Sequence, residues 1–292
     1  MKFFDLHCDT ATKIYDKKVA FESRKLHINA QKMTDFNQIS QVFAVFFNDI
    51  KQKTGLNYFY KVMENFIGQI KNIENLIPIF SVEGGGQMLE NNLDNMEVLN
   101  RFNIKIFGLV WNGENFLATG ALKDNSKGLT NFGIVCVKKL RKLNIIPDVS
   151  HLSDAGFNDL AECCDVFIAT HSNSRKIFEH PRNLKDSQIK TIIERKGLIG
   201  LNLYPVFMTK NKKNAEIELL SQHIDHFLDL GGIDVLAMGC DFDGIDRLPK
   251  KIHGLQDINI LREMLDKKYS LKIADKIMYD NACNFFVSNN LL

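Results

Sequence analysis

Ionisable side chains stand at the ends of short apolar runs in this chain. His7 and Asp9 close the first run in FFDLHCDT, Glu83 closes IPIFSV, and His151 closes IIPDVS. His171 closes VFIAT, and Asp241 and Asp243 follow VLAMG in GCDFDG. Residues two apart in a strand share a face, so His7 and Asp9 address one space while Cys8 addresses the other. Three imidazoles with three or four carboxylates form a donor set suited to one or two divalent cations. Zinc readily accepts such nitrogen and oxygen donors. One carboxylate has two oxygens and can join two ions about 3.5–4 Å apart. Glu83 is the expected bridge, because its strand lies between the two histidine groups in barrel order. The three glycines after it permit a tight turn and close backbone approach.

Convergence of these groups needs a scaffold that gathers strand ends. Eight runs rich in Ile, Val and Phe recur, at 3–6, 41–47, 77–82, 104–111, 145–150, 166–170, 197–204 and 235–239. Buried parallel strands have this composition. Helical patterns lie between most of them. In 215–230, Ile217, Leu220, Ile224 and Phe227 form one apolar stripe, and Gly231 and Gly232 end the helix. His223 and His226 are read as surface residues off that stripe. Strand–helix alternation repeated eight times predicts an α/β fold, a closed (β/α)8 TIM barrel, spanning 1–292 as one domain. The C-terminal strand ends of that barrel carry its active site. An open doubly wound sheet competes, but no dinucleotide fingerprint follows the first strand; HCDTAT stands there. TKNKKNAE (209–216) reads as a charged, solvated loop.

Composition narrows the function classes. With 37 basic and 35 acidic side chains the formal charge is +2. That balance supplies no motive for nucleic acid or an anionic membrane as partner. No stretch approaches the ~18 apolar residues of a membrane span. No basic segment followed by an apolar run precedes Asp5, so no signal peptide is expected. The six cysteines form no C-x-x-C pair and are expected reduced and mostly buried, in a cytoplasmic chain.

FDLHCDT, SVEGGG, PDVSH, THSN, HPRNL and GCDFDG together resemble the signature segments of the membrane dipeptidase family, also called renal dipeptidase or peptidase family M19. They follow the family's order across nearly the whole chain. The resemblance implies a barrel with two zinc ions that hydrolyses dipeptides. By position, His7 and Asp9 resemble ligands of the first zinc, Glu83 the bridge, and His151 and His171 ligands of the second. Arg182 matches the arginine that holds the substrate carboxylate, and Asp241 the aspartate that handles protons at the scissile amide. Trp111 and Tyr204 are expected to line the substrate site. Mammalian members carry a histidine where this chain has Trp111, which removes one source of help to the tetrahedral intermediate. Trp111 also argues against barrel hydrolases that bridge their metals with a modified lysine on the fourth strand.

The expected chemistry is amide hydrolysis by a hydroxide shared between two Zn²⁺ ions bridged by Glu83, with Asp241 moving the proton to the leaving amine. The expected partners are small dipeptides, with a homodimer compatible. Two alternatives stay open: another metal-dependent hydrolase of the superfamily acting on a lactone, cyclic amide or phosphoester, and a non-catalytic metal-bound scaffold.

Overall fold

A computed structural model describes residues 1–48 and 55–292. Seven parallel strands form one curled sheet: β1 (Lys2–Cys8), β2 (Gln38–Phe46), β3 (Leu76–Glu83), β4 (Ile104–Gly108), β5 (Ile146–Asp148), β6 (Ile199–Leu201) and β7 (Leu236–Met238). Their order is β5-β4-β3-β2-β1-β7-β6. The remaining apolar run, 166–170, differs from expectation in being no regular strand. It makes two single parallel bridges, Asp148 to Ile168 and Ala169 to Ile199, which join the sheet's two edge strands. Those bridges close the (β/α)8 barrel with eight segments around it. The fifth, seventh and eighth runs shrink to three-residue strands, because their remaining residues turn into the loops that carry polar groups.

One side chain or two from each segment fill the barrel interior. Phe4 and Leu6, Val42, Ile79, Ile106, Ile146, Ile168, Leu198 and Ala237 form one apolar cluster. Phe285 and Phe286 of the last helix, Asn281–Ser288, join it from below. A second, larger cluster lies between the sheet and its helices. Above the inner layer the same strand faces turn polar. On β3 the inward series Ile79, Ser81, Glu83 ends in a carboxylate with 5% exposure.

A bulge decides which way His7 points. Asp5 pairs with Gln41 but Cys8 pairs with Phe43, so β1 holds one residue more than β2 across that interval. A one-residue slip exchanges the faces of a strand. Leu6 therefore faces the interior, His7 turns inward directly after it, and Cys8 enters the outer core. Asp9 lies past the strand, at the N-cap of α1 (Thr10–Lys17).

The helix expected over 215–230 runs from Leu219 to Asp229. His223 is not a surface residue: it is fully buried. It lies three residues after Leu220 and four before Phe227, hence inside the apolar stripe. Its Nδ1 accepts the Ser174 backbone N–H at 3.1 Å, anchoring the loop after His171. His226 is half-buried and pairs with Asp186 at 2.8 Å. Burial first, and His226 second, lower the His223 pKa to about 4. Folding thus excludes a proton that the unfolded chain takes up below about pH 6.5. The stabilisation is complete above that pH and is lost as pH falls toward 4, worth about 3 kcal/mol in all. His223→Asn keeps an acceptor near Nδ1 but cannot titrate. Its unfolding free energy should therefore depend less on pH between 6.5 and 4 than wild type, measured by urea denaturation. Equal slopes would contradict the burial argument.

Candidate metal centre

The strand ends bring His7, Asp9, Glu83, His151, His171 and Asp241 into one buried cluster, each under 9% exposed. Glu83 stands at its middle. Its Oε2 lies 3.2 Å from His7 Nε2, a close ionic contact rather than an aligned hydrogen bond. Its Oε1 lies 2.7 Å from His151 Nε2 and 3.9 Å from His171 Nε2. The turn after Glu83 needs Gly84: φ is 73°, and a Cβ there would strike the Phe47 carbonyl. Ligand atoms of His7, Glu83 and His171 lie within 4.8 Å of one another, as do those of His7, Asp9 and Asp241. Asp243, the other aspartate of GCDFDG, does not join the donor set. Its oxygens are taken by Thr10 Oγ1 (2.6 Å), Lys13 Nζ (3.0 Å) and the His27 N–H (2.8 Å).

Electrostatics within the cluster favour a cation. Burial and the Glu83 charge hold Asp9 well above the usual carboxylate range. Burial raises Asp241 to about 6, with Glu83 adding to the rise against the pull of His7. Burial alone would make His7 less basic, but Glu83, Asp9 and Asp241 outweigh it and raise His7 to about 10. Burial, then Arg182, lowers His151 to about 4, and burial, then His7, holds His171 well below its ordinary value. Both are therefore neutral imidazoles. His151 gives its Nδ1 proton to Asn112 Oδ1 at 3.0 Å, which leaves a lone pair on Nε2. That lone pair faces both Glu83 Oε1, at 2.7 Å, and His171 Nε2, at 3.0 Å. His7 Nε2 and Asp9 Oδ1 are buried without a hydrogen-bond partner. Beside them, a Cβ on Gly244 would strike both Asp9 and Asp241, so the chain keeps this space free of side chain. Lone pairs, crowded carboxylates and an open cradle fit divalent metal.

Asp9, Glu83, His151 and Asp241 of the cluster line a cavity of about 520 Å³. Trp111 lines it, but β4 ends at Gly108, so the indole stands on the following loop rather than on the strand itself. It packs edge-on against Phe46 at 5.1 Å and lies 6.3 Å from the His151 ring. Arg182 is 3% exposed and lines the same cavity. Its Nη2 donates to the His171 carbonyl at 3.3 Å, its guanidinium lies over Phe207, and its Nε has no partner. Tyr204 also lines the cavity, with its phenol pushed up to about 12 by burial and Asp246. Sequence reasoning missed Asn112 and Asn202. The latter donates to Asp241 Oδ2 at 3.0 Å. Both are amides in loops, and only their position beside an ionisable group gives them meaning.

A parallel barrel with a buried histidine–carboxylate cluster at its strand ends defines the class of metal-dependent hydrolases. Residues 68–288 match the family model of membrane dipeptidase, peptidase family M19. The chain belongs to that family, whose members are metal-dependent dipeptidases, and so is an enzyme of that kind. It is 27% identical over 217 residues to a Klebsiella pneumoniae protein from the pqqA 5′ region, covering 70% of this chain and 79% of that one. It is 28% identical over 207 residues to a Schizosaccharomyces pombe protein described as an uncharacterized dipeptidase, covering 68% of this chain. The chain spans only 47% of that relative. The fold matches a metallopeptidase from Rhodobacter sphaeroides, solved with a phosphinate mimic of the dipeptide L-Ala-D-Ala. The TM-score is 0.87 at 21% identity, over 100% of this chain and 98% of that one. Among the described residues, no helix is long and apolar enough to cross a membrane.

The central position of Glu83 gives the first test of the site. Glu83→Gln keeps the shape but removes the charge that both histidine groups face. Metal retained after gel filtration, measured by elemental analysis, should fall to less than half of wild type. Undiminished retention would remove Glu83 from the donor set.

Proposed function

We propose that the chain hydrolyses dipeptides with two zinc ions, one held by His7, Asp9 and Glu83 and the other by Glu83, His151 and His171. The observation that carries this reading is the pair of Glu83 oxygens, one turned to His7 and the other to His151. Bound ions would polarise the peptide carbonyl and lower the pKa of water near neutrality. The protein's own groups do the rest. Asp241 accepts the proton released at the attacking water and returns it to the leaving amine. Burial and the Glu83 charge make this carboxyl a better proton acceptor than an exposed one. The Asn202 amide holds one Asp241 oxygen and leaves the other free for this work. Arg182 clamps the C-terminal carboxylate of the substrate, a role supported by a buried guanidinium with an unused Nε on the cavity wall. A carboxylate held that close to the reacting amide limits the substrate to two residues. Trp111 and Phe46 supply one apolar wall for a substrate side chain, and Tyr204 with Phe207 another. The dipeptide mimic bound by the Rhodobacter protein supports the same substrate class. The barrel acts as one domain, and its six free cysteines accord with a reducing, cytoplasmic setting.

Zinc titration of chelator-treated protein should saturate near two ions per chain, and saturation at none would overturn the reading. Asp241→Asn should retain both ions and lose roughly 10²–10⁴-fold in turnover, since it removes only the proton carrier. Loss of an ion in that variant would make Asp241 a ligand instead. Its position among the ligand atoms of His7 and Asp9 makes this the sharpest comparison.

Arg182→Ala should chiefly raise KM for dipeptides, because the carboxylate clamp acts on substrate and transition state alike. Steady-state kinetics on a free dipeptide and its C-terminal amide separate the two cases. Wild type should prefer the free acid, and Arg182→Ala should lose most of that preference. An unchanged preference would assign the carboxylate to another group.

A further inference from the structure

Beneath the cluster lies a chain of hydrogen bonds that none of the metal or substrate roles uses. Asp148, at the end of β5, is 4% exposed, and Thr170, at the end of the barrel-closing run, is 1% exposed. Asp148 Oδ1 accepts the backbone N–H groups of Ser150 (2.8 Å) and Thr170 (3.0 Å). Asp148 Oδ2 accepts the Thr170 hydroxyl at 2.5 Å. Thr170 Oγ1 in turn lies 2.7 Å from His171 Nδ1. A second neighbour, Ser150 Oγ, lies farther from the hydroxyl, at 3.4 Å.

The direction of this chain follows from counting protons. A carboxylate can only accept, so the short Asp148–Thr170 contact takes the hydroxyl's single proton. Thr170 Oγ1 then has only lone pairs to offer His171. Nδ1 must therefore carry the imidazole proton and donate it to Thr170. In a neutral ring that leaves Nε2 bare, and Nε2 is the nitrogen that faces Glu83 and His151. We infer that Asp148 and Thr170 are positioning residues that lock His171 in its ligand tautomer, with the carboxylate acting through the hydroxyl. The inference rests on the metal-site reading above. It also separates the two histidines of that half-site, since His151 receives the same service directly from the Asn112 amide. Partners that hold the far nitrogen of a metal-binding histidine generally contribute 10–100-fold to affinity.

A structural role competes, because Asp148 also ties two backbone N–H groups at the point where the barrel closes. Asp148→Asn separates the two. Its amide oxygen can keep both backbone contacts, which turns the NH₂ toward Thr170. The hydroxyl then accepts from the amide and sends its own proton to His171 Nδ1. The imidazole proton moves to Nε2, where it opposes metal.

The test uses the full chain labelled with ¹⁵N-histidine, with His171→Gln assigning the His171 signals. Long-range ¹H–¹⁵N spectra at neutral pH should give the Nδ1–H tautomer in wild type and Thr170→Ser. They should give the Nε2–H tautomer in Asp148→Asn and no single fixed tautomer in Thr170→Val. Chelator competition with zinc should find one ion bound roughly 10–100-fold more weakly in Asp148→Asn and Thr170→Val, with Thr170→Ser near wild type. A lower unfolding temperature in Asp148→Asn with the wild-type tautomer would overturn the relay and leave a structural tie. Unchanged zinc affinity in both disruptive variants would overturn it as well. If Asp148→Asn does not fold, the contrast between Thr170→Val and Thr170→Ser decides alone. A wild type that binds no zinc yet has the stated tautomers would overturn the metal site and not the hydrogen-bond relay.

Discussion

Three buried carboxylates around one small space set the terms for the rest of the molecule. Asp9, Glu83 and Asp241 repel one another and have little water to screen them. Such a group of like charges is costly without compensating positive charge. His7 supplies part of it, and its ring stacks 3.9 Å from the neutral His171 ring. The remainder is the demand for divalent cations that the donor set expresses. The backbone bears strain for this convergence. His151, Asp241 and Asp243 all sit at positive φ, of 72°, 61° and 66°. Left-handed backbone in residues with a Cβ costs of order 1–3 kcal/mol each and persists only where surrounding bonds enforce it. Here the His151 carbonyl accepts from Ala121, and the Asp241 N–H donates to the His7 carbonyl.

Apolar packing supplies the rigidity that such strain requires. The interior layer of Val, Ile, Leu and Phe lies directly beneath the polar one, with the last helix sealing it from below. The transition takes four residues on β3, from Ile79 through Ser81 to Glu83, so the carboxylate rests on a packed floor. The β1 bulge performs the same transition on its own strand by exchanging faces between Leu6 and His7. Closure is weaker in regular hydrogen bonds than the rest of the sheet, since the segment 166–170 contributes single bridges. Side-chain bonds from Asp148 to Thr170 and the His223 acceptor at Ser174 secure the C-terminal end of that segment and the loop after it. The same short stretch carries His171, so barrel closure and ligand placement are one structural problem.

Much of this was legible in the sequence, for definite physical reasons. Strand composition and spacing gave away the barrel, because buried parallel strands are apolar on both faces. The ionisable residues at the strand ends were legible because a polar side chain closing an apolar run must either reach solvent or find a partner. The bulge in β1 left no such trace; FFDLHC has no glycine to mark it, and its register emerges only from pairing with β2. His223 was misread because a histidine is expected outside, although its spacing from Leu220 and Phe227 places it inside. The sixth segment looked like a strand because composition reports burial, not ladder pairing. Asn112, Asn202 and Thr170 were illegible as site residues because amides and hydroxyls gain a role from what they face.

The two aspartates of GCDFDG make the last point about environment. They are two residues apart, both at positive φ and both within 9% exposure, yet they do different work. Asp243 receives a hydroxyl, an ammonium and backbone N–H donors from α1 and the His27 loop, and its own N–H is accepted by His27 Nδ1. Its lone pairs are spent, so it serves as a strut that joins β7's loop to the first helix. Asp241 receives one side-chain hydrogen bond, from Asn202, and otherwise feels Glu83, His7 and Arg182. A carboxylate with unspent lone pairs and a raised pKa can exchange a proton; a saturated one cannot do so without breaking its bonds. Residue type and motif position are the same for both. The count of donors at each oxygen is what divides support from chemistry.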